Sequence, residues 1–473
     1  MKETEMTRLP LQAVLFDMDG TLVDTERLWW EAVEQVAGRE LTEADRAEVL
    51  GRPIDHTAGW LSAATGARAA DLADTLHREF ADRVRTGVVP RPGALDLLDA
   101  LAREGVPTAL VTASPRSVTD IVLGVLGASR FAVSVTADDT DRTKPDPDPY
   151  LAACRALGVD PSGCVAVEDS ATGVASAEAA GCTVLAVPSL APIEAAPGRT
   201  VEPSLAGVTP AALRALLPYR LRVMTWNLWY GGTKVHDHRA KQLKAIAETD
   251  VDVVGLQETY GTAAGELAEA LGWHHHRAGE NLGIISRYPI TAVLGDPDVG
   301  FYGAAGARIA VGGQEVEVWT AHLDYERYGP YEAEPLAHEE VRLGQMRDTL
   351  RRIGQAAPVV LVGDFNCPSH LDWPGVEWPV TRAAEEAGFA DSYRQAHPDP
   401  VRDPGHTWSP VVVHPEPQDR IDFVLHRGLR VLDSRTYVSG SPRPAPDVAD
   451  NDWPSDHAAV ITDFSLGSGP ATV

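Results

Sequence analysis

Short apolar runs that end in polar residues alternate with alanine-rich, helix-like segments from Leu11 to about Pro188. The apolar runs read AVLFDMDGT, PTALVTAS, GCVAVEDS and GCTVLAVP. Such alternation is typical of a parallel β-sheet with helices packed on its faces. Between Asp24 and Pro90 the pattern changes to helix-like stretches, which predicts that a helical cap is inserted after the first strand.

A second series of strand-like runs begins after a segment rich in proline, alanine and glycine, residues 187–210. The runs DVVGLQE, LGIIS, VEVWTAHLD, PVVLVGDFN, RIDFVLH and AAVITDF predict a second, more β-rich α/β domain. We place the boundary near Pro218, so that the predicted domains are residues 11–217, with the cap at about 24–90, and residues 219–466. A length of 473 residues fits this division, because it exceeds what one hydrophobic core usually organises.

Charge and composition exclude several classes of protein. The formal net charge is −27, and no run rich in lysine or arginine could follow a phosphate backbone, so non-specific binding of nucleic acid is disfavoured. No apolar run reaches the roughly 20 residues that span a bilayer. The N-terminus lacks the apolar core of a secretory signal, and the four cysteines have no CxxC spacing, so we expect reduced thiols and a cytoplasmic location.

The segment Val14 to Thr21 is an apolar strand that ends in two carboxylates, Asp17 and Asp19, one residue apart. Ligands of open α/β sheets bind at the carboxyl ends of the strands, where both side chains would lie. One aspartate can attack a phosphoryl group, and the other can protonate the leaving alcohol and later activate water. Because two carboxylates would repel a phosphate, this chemistry needs a hard cation such as Mg²⁺.

Later strand ends supply the other groups that phosphoryl transfer requires. Thr112 follows the run ALV and offers a hydroxyl, while Lys144 in TKPDPDPY offers a positive charge to phosphate and nucleophile. Glu168 and Asp169 follow CVAV and offer a second edge to a metal ion.

The blocks DMDGT, VTAS, KPDPDPY and VEDSATGV resemble, in this order, the haloacid dehalogenase superfamily, in particular the capped subgroup of β-phosphoglucomutases and phosphoglycolate or sugar phosphatases. The resemblance covers residues 11–217. It implies that Asp17 is the nucleophile, Asp19 the acid and base, and Thr112 and Lys144 the phosphate ligands. The implied and candidate metal ligands are Asp17, Asp19, Glu168 and Asp169. Ser114 and the cap residue Arg52 are candidate substrate-binding residues, although a surface salt bridge explains Arg52 equally well.

In the C-terminal half, amide, carboxylate and imidazole side chains again lie at the ends of apolar runs. They are Asn227, Glu258, His322, Asp324, Asp364, Asn366, Asp422, Asp456 and His457. Carboxylate and amide oxygens are preferred ligands of magnesium. Histidines can move protons or neutralise charge on phosphorus, and a buried carboxylate such as Asp422 can hold His457 in one tautomer.

The series TWN, LQET, SRYPI, TAHLD, GDFN, DRIDFVL and SDH resembles the endonuclease/exonuclease/phosphatase superfamily, the deoxyribonuclease-like α/β/β/α sandwich, over residues 219–466. It implies that Asn227 and Glu258 hold Mg²⁺, with Asp456 as an additional acid beside the metal. Asp364 and Asn366 are expected to position water and phosphate. His322 and His457 are expected to contact the phosphate or transfer protons.

Two features of this half are each open to two interpretations. Arg287 in SRYPI is either a substrate-binding residue or a residue that stabilises a turn. The segment 325–335, YERYGPYEAEP, carries three tyrosines that either contact a ligand or cover the edge of the core.

The sequence thus predicts an α/β enzyme with two magnesium-dependent phosphoester hydrolase sites, in which Mn²⁺ could replace Mg²⁺. The N-terminal site is expected to hydrolyse small phosphomonoesters through an aspartyl-phosphate, and the C-terminal site phosphodiesters or phosphomonoesters with metal-activated water. A phosphomutase is the alternative for the first domain. A nuclease or a lipid phosphodiesterase is the alternative for the second, and a binding module with a decayed site is a third class. The expected partners are small phosphoesters and not membranes, and the oligomeric state is left open.

Overall fold

A six-stranded, all-parallel sheet forms the centre of the N-terminal unit. The computed structural model describes residues 7–49, 54–296, 298–331, 336, 338–373, 375–411 and 418–467. Contacts divide the chain into two units, Arg8–Pro218 and Tyr219–Leu466. The strands of the first unit are β1 Ala13–Phe16, β2 Thr108–Val111, β3 Val133–Val135, β4 Cys164–Glu168, β5 Thr183–Ala186 and β6 Arg199–Val201, in the order β3-β2-β1-β4-β5-β6.

Helices cover both faces of this sheet. They are α1 Glu26–Ala37, α2 Arg46–Val49, α3 Ile54–Thr65, α4 Ala69–Gly87, α5 Ala94–Arg103, α6 Arg116–Leu126, α7 Asp148–Leu157, α8 Ala171–Ala180 and α9 Pro210–Leu216. Because neighbouring strand residues point to opposite faces, Val14 and Phe16 of β1 enter one core while Ala13 and Leu15 enter the other. The first core includes side chains of α1, α3 and α4, and the second includes those of α7 and α8. The predicted parallel sheet with helices is confirmed.

Two six-stranded sheets form the centre of the C-terminal unit. With strands numbered along the chain, their orders are β17-β18-β7-β8-β10-β9 and β11-β12-β13-β14-β16-β15. The strands are β7 Tyr219–Asn227, β8 Val253–Gln257, β9 His274–Ala278, β10 Leu282–Ser286, β11 Ile290–Gly295, β12 Gly303–Val311, β13 Gln314–His322, β14 Val359–Asp364, β15 Ala390–Asp391, β16 Asp422–Arg427, β17 Arg430–Tyr437 and β18 Ala459–Leu466. The helices are α10 His238–Thr249, α11 Ala263–Leu271, α12 Glu339–Ile353, α13 Pro379–Glu386 and α14 Ser392–Ala396.

The inner faces of the two sheets form one shared core, which joins Val223 of β7 to Val362 of β14. On the outer face of the first sheet, α10 and α11 pack against β7 and β8. On the outer face of the second sheet, α12 and α13 pack against β13 and β14. The unit is therefore the predicted α/β/β/α sandwich.

Strand register decides which polar side chains meet. His322 at the end of β13 pairs with Asp364 at the end of the parallel strand β14, and Asp364 pairs with Asp422 at the start of the antiparallel strand β16. In the other sheet Asn227, the last residue of β7, pairs with Gln257, the last residue of β8. Each sheet thus presents polar residues at one end. No helix in the described ranges is both long enough and apolar enough to cross a bilayer.

Candidate active sites

In the N-terminal unit, Lys144 lies between two buried carboxylates at the carboxyl end of the parallel sheet. Its Nζ donates to Asp17 Oδ1 at 2.6 Å, to Glu168 Oε1 at 2.6 Å and to the carbonyl of Val111 at 2.9 Å. Burial alone would lower the pKa of Lys144, but Asp17 and Glu168 outweigh it and raise that pKa above its usual value. The ammonium is therefore a fixed positive charge beside Asp17.

Asp19 is turned toward three hydroxyl groups instead of toward the other acids. Its Oδ1 accepts from Thr25 Oγ1 at 2.7 Å, and its Oδ2 accepts from Ser114 Oγ at 2.8 Å and Thr112 Oγ1 at 3.0 Å. Burial and the neighbouring Asp17 raise the pKa of Asp19. The raised pKa favours the protonated form of the Asp19 carboxyl group. Thr112 and Ser114 act here as partners of Asp19.

Carboxylate oxygens of Asp17, Glu168 and Asp169 lie within 4.8 Å of one another. Burial raises the pKa of Glu168 to about 7, and burial together with Asp17 raises the pKa of Asp169 to about 9. Oδ2 of Asp17 is buried without a hydrogen-bond partner in the described structure. Three acids facing a single lysine, with one oxygen unpartnered, fit a hard divalent cation such as Mg²⁺. The carboxylate of Asp19 is not part of this cluster.

The backbone next to this cluster leaves no room for a side chain. Gly20 has φ +83°, and a Cβ atom there would lie 2.0 Å from Asp169 Oδ2. The glycine of DMDGT is therefore required both by its left-handed conformation and by the close approach of Asp169.

Several groups that support the N-terminal site were not assigned from the sequence. The Ser189 hydroxyl donates to Asp169 and also lies 3.3 Å from Glu26 Oε1, and the Tyr150 hydroxyl donates to Glu168 at 2.5 Å. Tyr150 ends the KPDPDPY block, so that block contained a signal for it, whereas Ser189 follows β5 without any motif. Arg52 lies outside the described residues.

In the C-terminal unit, Asp364 is surrounded by polar groups from three strand ends and two loops. Its Oδ2 accepts from Asn227 Nδ2 at 3.0 Å, and its Oδ1 accepts from the backbone N–H of Asn366 at 2.9 Å. Nε2 of His322 and of His457 lie 3.6 Å and 3.8 Å from Asp364 Oδ2. Burial and the nearby Asp422 raise the pKa of Asp364 to about 7.

His457 is held by a direct hydrogen bond between its Nδ1 and Asp422 Oδ2, at 2.8 Å. Burial opposes protonation of this imidazole, but Asp422 and Asp364 outweigh it and raise the pKa of His457 well above its usual value. The surroundings of His457 therefore favour its protonated, positively charged form. Asp364, Asp422 and His457 also form a compact cluster, but the direct hydrogen bond makes Asp422 a partner of the imidazole and not a metal ligand.

His322 is the neutral histidine of the site. Asn281 Nδ2 lies 2.6 Å from His322 Nδ1 and also donates to the carbonyl of Phe301, so the amide NH₂ group must face the imidazole. His322 Nδ1 therefore accepts, and the proton is on Nε2, which faces Asp364. Burial and the positive charge of His457 lower the pKa of His322 to about 3. No motif pointed to Asn281, which enters the site from the turn before β10.

Glu258 and Asp456 form the acidic side of the same cleft. Glu258 Oε1 accepts from Asn227 Nδ2 at 3.2 Å, and its Oε2 accepts from the backbone N–H of Tyr230 at 2.7 Å. Burial, with a contribution from Glu258, raises the pKa of Asp456 to about 7. Asp456 Oδ1 is buried and has no hydrogen-bond partner among the described residues. Two repelling carboxylates, one of them with an unpartnered oxygen, fit the oxygen ligands that Mg²⁺ prefers. The predicted ligand Asn227 turns its Nδ2 toward Glu258, while its Oδ1 accepts from the backbone N–H of Trp229 at 2.9 Å.

These groups open into a cleft of about 530 Å³. Besides the polar residues described above, the cleft is lined by the aromatic side chains Trp229, Tyr230, Tyr260, Phe301, Tyr302, Tyr325, Tyr328 and Trp408. The sequence had pointed only to the tyrosines of segment 325–335, of which residues 332–335 lie outside the described residues. The aromatic pairs Trp229-Tyr230, shortly after Asn227, and Phe301-Tyr302, just before β12, were signals in the sequence for this aromatic lining.

Two further predicted residues have different positions: Arg287 lies outside the cleft, and Asn366 lines it. Arg287 does not line the cleft. Its guanidinium pairs with Asp250 at 2.9 Å and lies over the ring of Trp273. The Asn366 side chain lines the cleft and donates to the carbonyl of Leu323 at 2.9 Å.

Comparisons with known proteins agree with both sets of motifs. Residues 11–181 match the family model described as haloacid dehalogenase-like hydrolase, and residues 224–457 match that of the Endonuclease/Exonuclease/phosphatase family. An uncharacterized protein of Caenorhabditis elegans, F14F9.5, is 33% identical over 292 residues, covering 52% of this chain and 91% of that protein. Hexitol phosphatase A of Escherichia coli K12 is 36% identical over 181 residues, covering 37% of this chain and 81% of that protein.

Among solved structures, that of CbbY from Rhodobacter sphaeroides in complex with phosphate matches with 25% sequence identity and a TM-score of 0.40, covering 43% of this chain and 99% of that one. The family matches confirm the prediction that the chain is a hydrolase of phosphoester-cleaving families. The chain belongs to the haloacid dehalogenase-like hydrolases through its N-terminal unit and to the Endonuclease/Exonuclease/phosphatase family through its C-terminal unit.

Proposed function

We propose that this chain is a bifunctional, divalent-metal-dependent phosphoester hydrolase, with a phosphomonoesterase in its N-terminal unit and a phosphodiesterase in its C-terminal unit. The observation that carries the proposal is that each unit collects buried acids at one end of a sheet beside a fixed cation, Lys144 in the first and His457 in the second. Phosphoryl transfer needs these elements, because catalysis consists largely of positioning and of stabilising charge.

At the N-terminal site, Asp17 is the nucleophile and Lys144 holds its Oδ1 in place. Attack of Asp17 on phosphorus forms an aspartyl-phosphate and breaks the bond to the leaving oxygen, which takes a proton from Asp19. The resulting Asp19 carboxylate then accepts a proton from the water that hydrolyses the aspartyl-phosphate. A divalent cation held by Asp17, Asp169 and Glu168 would neutralise charge on the carboxylates and the phosphoryl oxygens.

Small phosphorylated metabolites are the substrate class that we propose for this site. Hexitol phosphatase A, which is 36% identical over 181 residues, carries a phosphatase name that points to a phosphorylated polyol. A mutase would use the same Asp17 and Asp19, but no observation favours it over a phosphatase.

At the C-terminal site, protonated His457 is the group that contacts a phosphate oxygen, and Asp422 keeps it charged and oriented. Asp364 is the acceptor for the proton of the attacking water, since its raised pKa of about 7 makes it a usable base near neutral pH. A divalent cation held by Glu258 and Asp456 would supply positive charge to the phosphate. Water adds to phosphorus as its proton passes to Asp364, the bond to one ester oxygen breaks, and the leaving oxygen takes a proton from the solvent.

The test is an assay of the purified full chain with Mg²⁺ against phosphomonoesters, small phosphodiesters, nucleotides and plasmid DNA. The proposal expects phosphate release from monoesters such as hexitol phosphates, and cleavage of bis(4-nitrophenyl) phosphate. Rapid nicking of plasmid DNA with no turnover of small diesters would show that the C-terminal unit is a nuclease instead.

A further inference from the structure

Five aromatic side chains of the C-terminal cleft form a continuous row, which we call the aromatic row: Tyr230, Tyr260, Phe301, Tyr302 and Tyr325. Successive ring centroids are 5.4, 6.1, 5.0 and 6.1 Å apart. The row reaches the catalytic groups, because the rings of Phe301 and Tyr302 lie 5.9 and 5.2 Å from that of His322. A ligand with its phosphate at His322 would therefore place an ester group on these rings.

Most of the aromatic row is open to solvent. Tyr230 is 47% exposed, Tyr260 45%, Phe301 42% and Tyr325 61%. A continuous row of rings, four of them exposed, is uncommon on a protein surface unless it binds something. The row is not part of the hydrophobic core, so packing alone does not account for it.

The electrostatic surroundings of the row are negative around Tyr302, whereas the ammonium of Lys234 lies beside Tyr230 at its other end. The cleft-lining residues in the described part of the chain include no lysine or arginine, whereas Glu258, Asp364 and Asp456 are acids. Burial, then Tyr325, and then the acids Asp324, Glu258 and Glu326 raise the pKa of the Tyr302 hydroxyl. When a divalent cation neutralises Glu258, the charges of Asp324 and Glu326 remain beside the rings. A second anionic group on a ligand would be repelled here.

One ring of the row already holds an ammonium group of the chain itself. Nζ of the exposed Lys234 lies 4.8 Å from the centroid of the Tyr230 ring. Cations bind the electron-rich faces of tyrosine and tryptophan rings, and desolvation strengthens this interaction. The remaining rings of the row offer further faces of the same kind closer to His322.

We propose that the aromatic row is a specificity subsite that selects phosphodiesters in which one esterified alcohol carries an alkylammonium group. The chemistry is that of an amino-alcohol phosphoester, in which the single phosphate lies at the catalytic groups and the ammonium lies on the rings. Polyanionic ligands are disfavoured by the acids. Among the described residues, and apart from the catalytic groups, the lining supplies only tyrosine hydroxyls and tryptophan N–H groups as hydrogen-bonding side chains. These residues therefore offer few hydrogen bonds to the edge of a nucleobase.

The kinetic test compares two chromogenic diesters that differ in one charged atom: 4-nitrophenyl phosphorylcholine, with a trimethylammonium group, and 4-nitrophenyl 3,3-dimethylbutyl phosphate, its neutral isostere. We expect kcat/KM to be about fivefold to tenfold higher for the cationic substrate. The comparison is repeated in ~1 M salt, where the Debye length of about 3 Å removes long-range attraction to a chain of net charge −27. Equal values for the two diesters in high salt would overturn the proposal.

Matched variants of one ring assign the preference to the row. Tyr260→Leu removes a ring face, and we expect the ratio of the two kcat/KM values to fall at least twofold. Tyr260→Phe keeps the ring and loses only the hydroxyl, so the ratio should be retained. A ratio that is unchanged in Tyr260→Leu and in Phe301→Leu would show that the preference arises elsewhere.

A binding measurement tests this inference independently of the proposed diesterase activity. The kinetic test, by contrast, rests on that proposed activity. Calorimetric titration of His457→Ala with each diester measures Kd without turnover. Tighter binding of the cationic diester, without hydrolysis by wild type, would support the subsite and reject the diesterase. Hydrolysis by wild type with equal Kd values would support the diesterase and reject the subsite.

Discussion

Nδ1 of His457 lies 2.8 Å from Oδ2 of Asp422, a residue 35 positions earlier in the chain, and both side chains are buried. Asp422 favours the protonated form of the imidazole and holds it in one orientation. Asp422→Asn removes the negative charge and should lower kcat for diester hydrolysis by about 10²- to 10⁴-fold. Steady-state kinetics of the single variants and of the double variant Asp422→Asn/His457→Ala decide this. Additive losses in the double variant would mean that the two residues do not act as a unit.

Independence of the two sites is tested by one substitution in each unit. Asp17→Asn should abolish phosphomonoester hydrolysis and leave diester hydrolysis unchanged, because an amide cannot form the aspartyl-phosphate. His457→Ala should do the reverse. Both activities are measured on the same folded preparation, with circular dichroism as the control for folding. Loss of both activities from either single substitution would contradict the assignment of two separate sites.

Metal dependence should differ between the two units. Mg²⁺ or Mn²⁺ should support both activities, and Ca²⁺ should support monoester hydrolysis poorly, since a larger ion with more ligands disturbs in-line attack by Asp17. Titration of each activity with each ion after treatment with EDTA measures this. Full phosphomonoesterase activity in excess EDTA would remove the cation from the mechanism at Asp17, Glu168 and Asp169.

A buried ion-pair network should contribute strongly to the stability of the C-terminal unit. The Arg420 guanidinium bonds to Asp372 at 2.9 Å and to Asp391 at 2.7 Å, and lies 4.7 Å from the ring centroid of Phe423. Arg420→Met leaves the carboxylate of Asp391 buried without its cation, which should cost about 3–5 kcal/mol. Urea denaturation followed through loss of diesterase activity reports the change.

The control for that substitution is Arg435→Met, which removes a half-exposed arginine that pairs with Asp433 at 2.8 Å. Exposed pairs contribute little, so the urea midpoint should hardly move. Equal shifts for the two variants would show that burial of the Arg420 network is not the source of its stability.

The two activities could act in sequence, with the C-terminal unit releasing a phosphomonoester that the N-terminal unit dephosphorylates. A diester offers no terminal phosphoryl group to Asp17, whereas the released monoester does. When the best diester is supplied, wild type should release inorganic phosphate and Asp17→Asn should accumulate the monoester. A monoester product that wild type never hydrolyses would mean that the two units act on unrelated substrates.

Local sequence patterns were sufficient to predict the two fold types and the residues at the strand ends. Apolar runs such as AVLF and VVLVG form strands because of their local composition, and the polar residue after each run lies at the strand end for the same reason. Motifs such as DMDGT also contain a local requirement, since only glycine at position 20 allows the close approach of Asp169.

Which of these strand ends meet depends on long-range strand pairing and could not be predicted from local patterns. His322, Asp364 and Asp422 become neighbours because β14 pairs in parallel with β13 and antiparallel with β16, and such pairing between distant segments has no local signature. Asn281 and the aromatic row come from loops and strand edges whose position depends on the packing of the whole sandwich. Arg287 is the opposite case. It belongs to a recognisable motif, but its guanidinium pairs with Asp250 and lies outside the cleft. Local patterns thus specify strands and their ends, while long-range pairing and packing assemble the site.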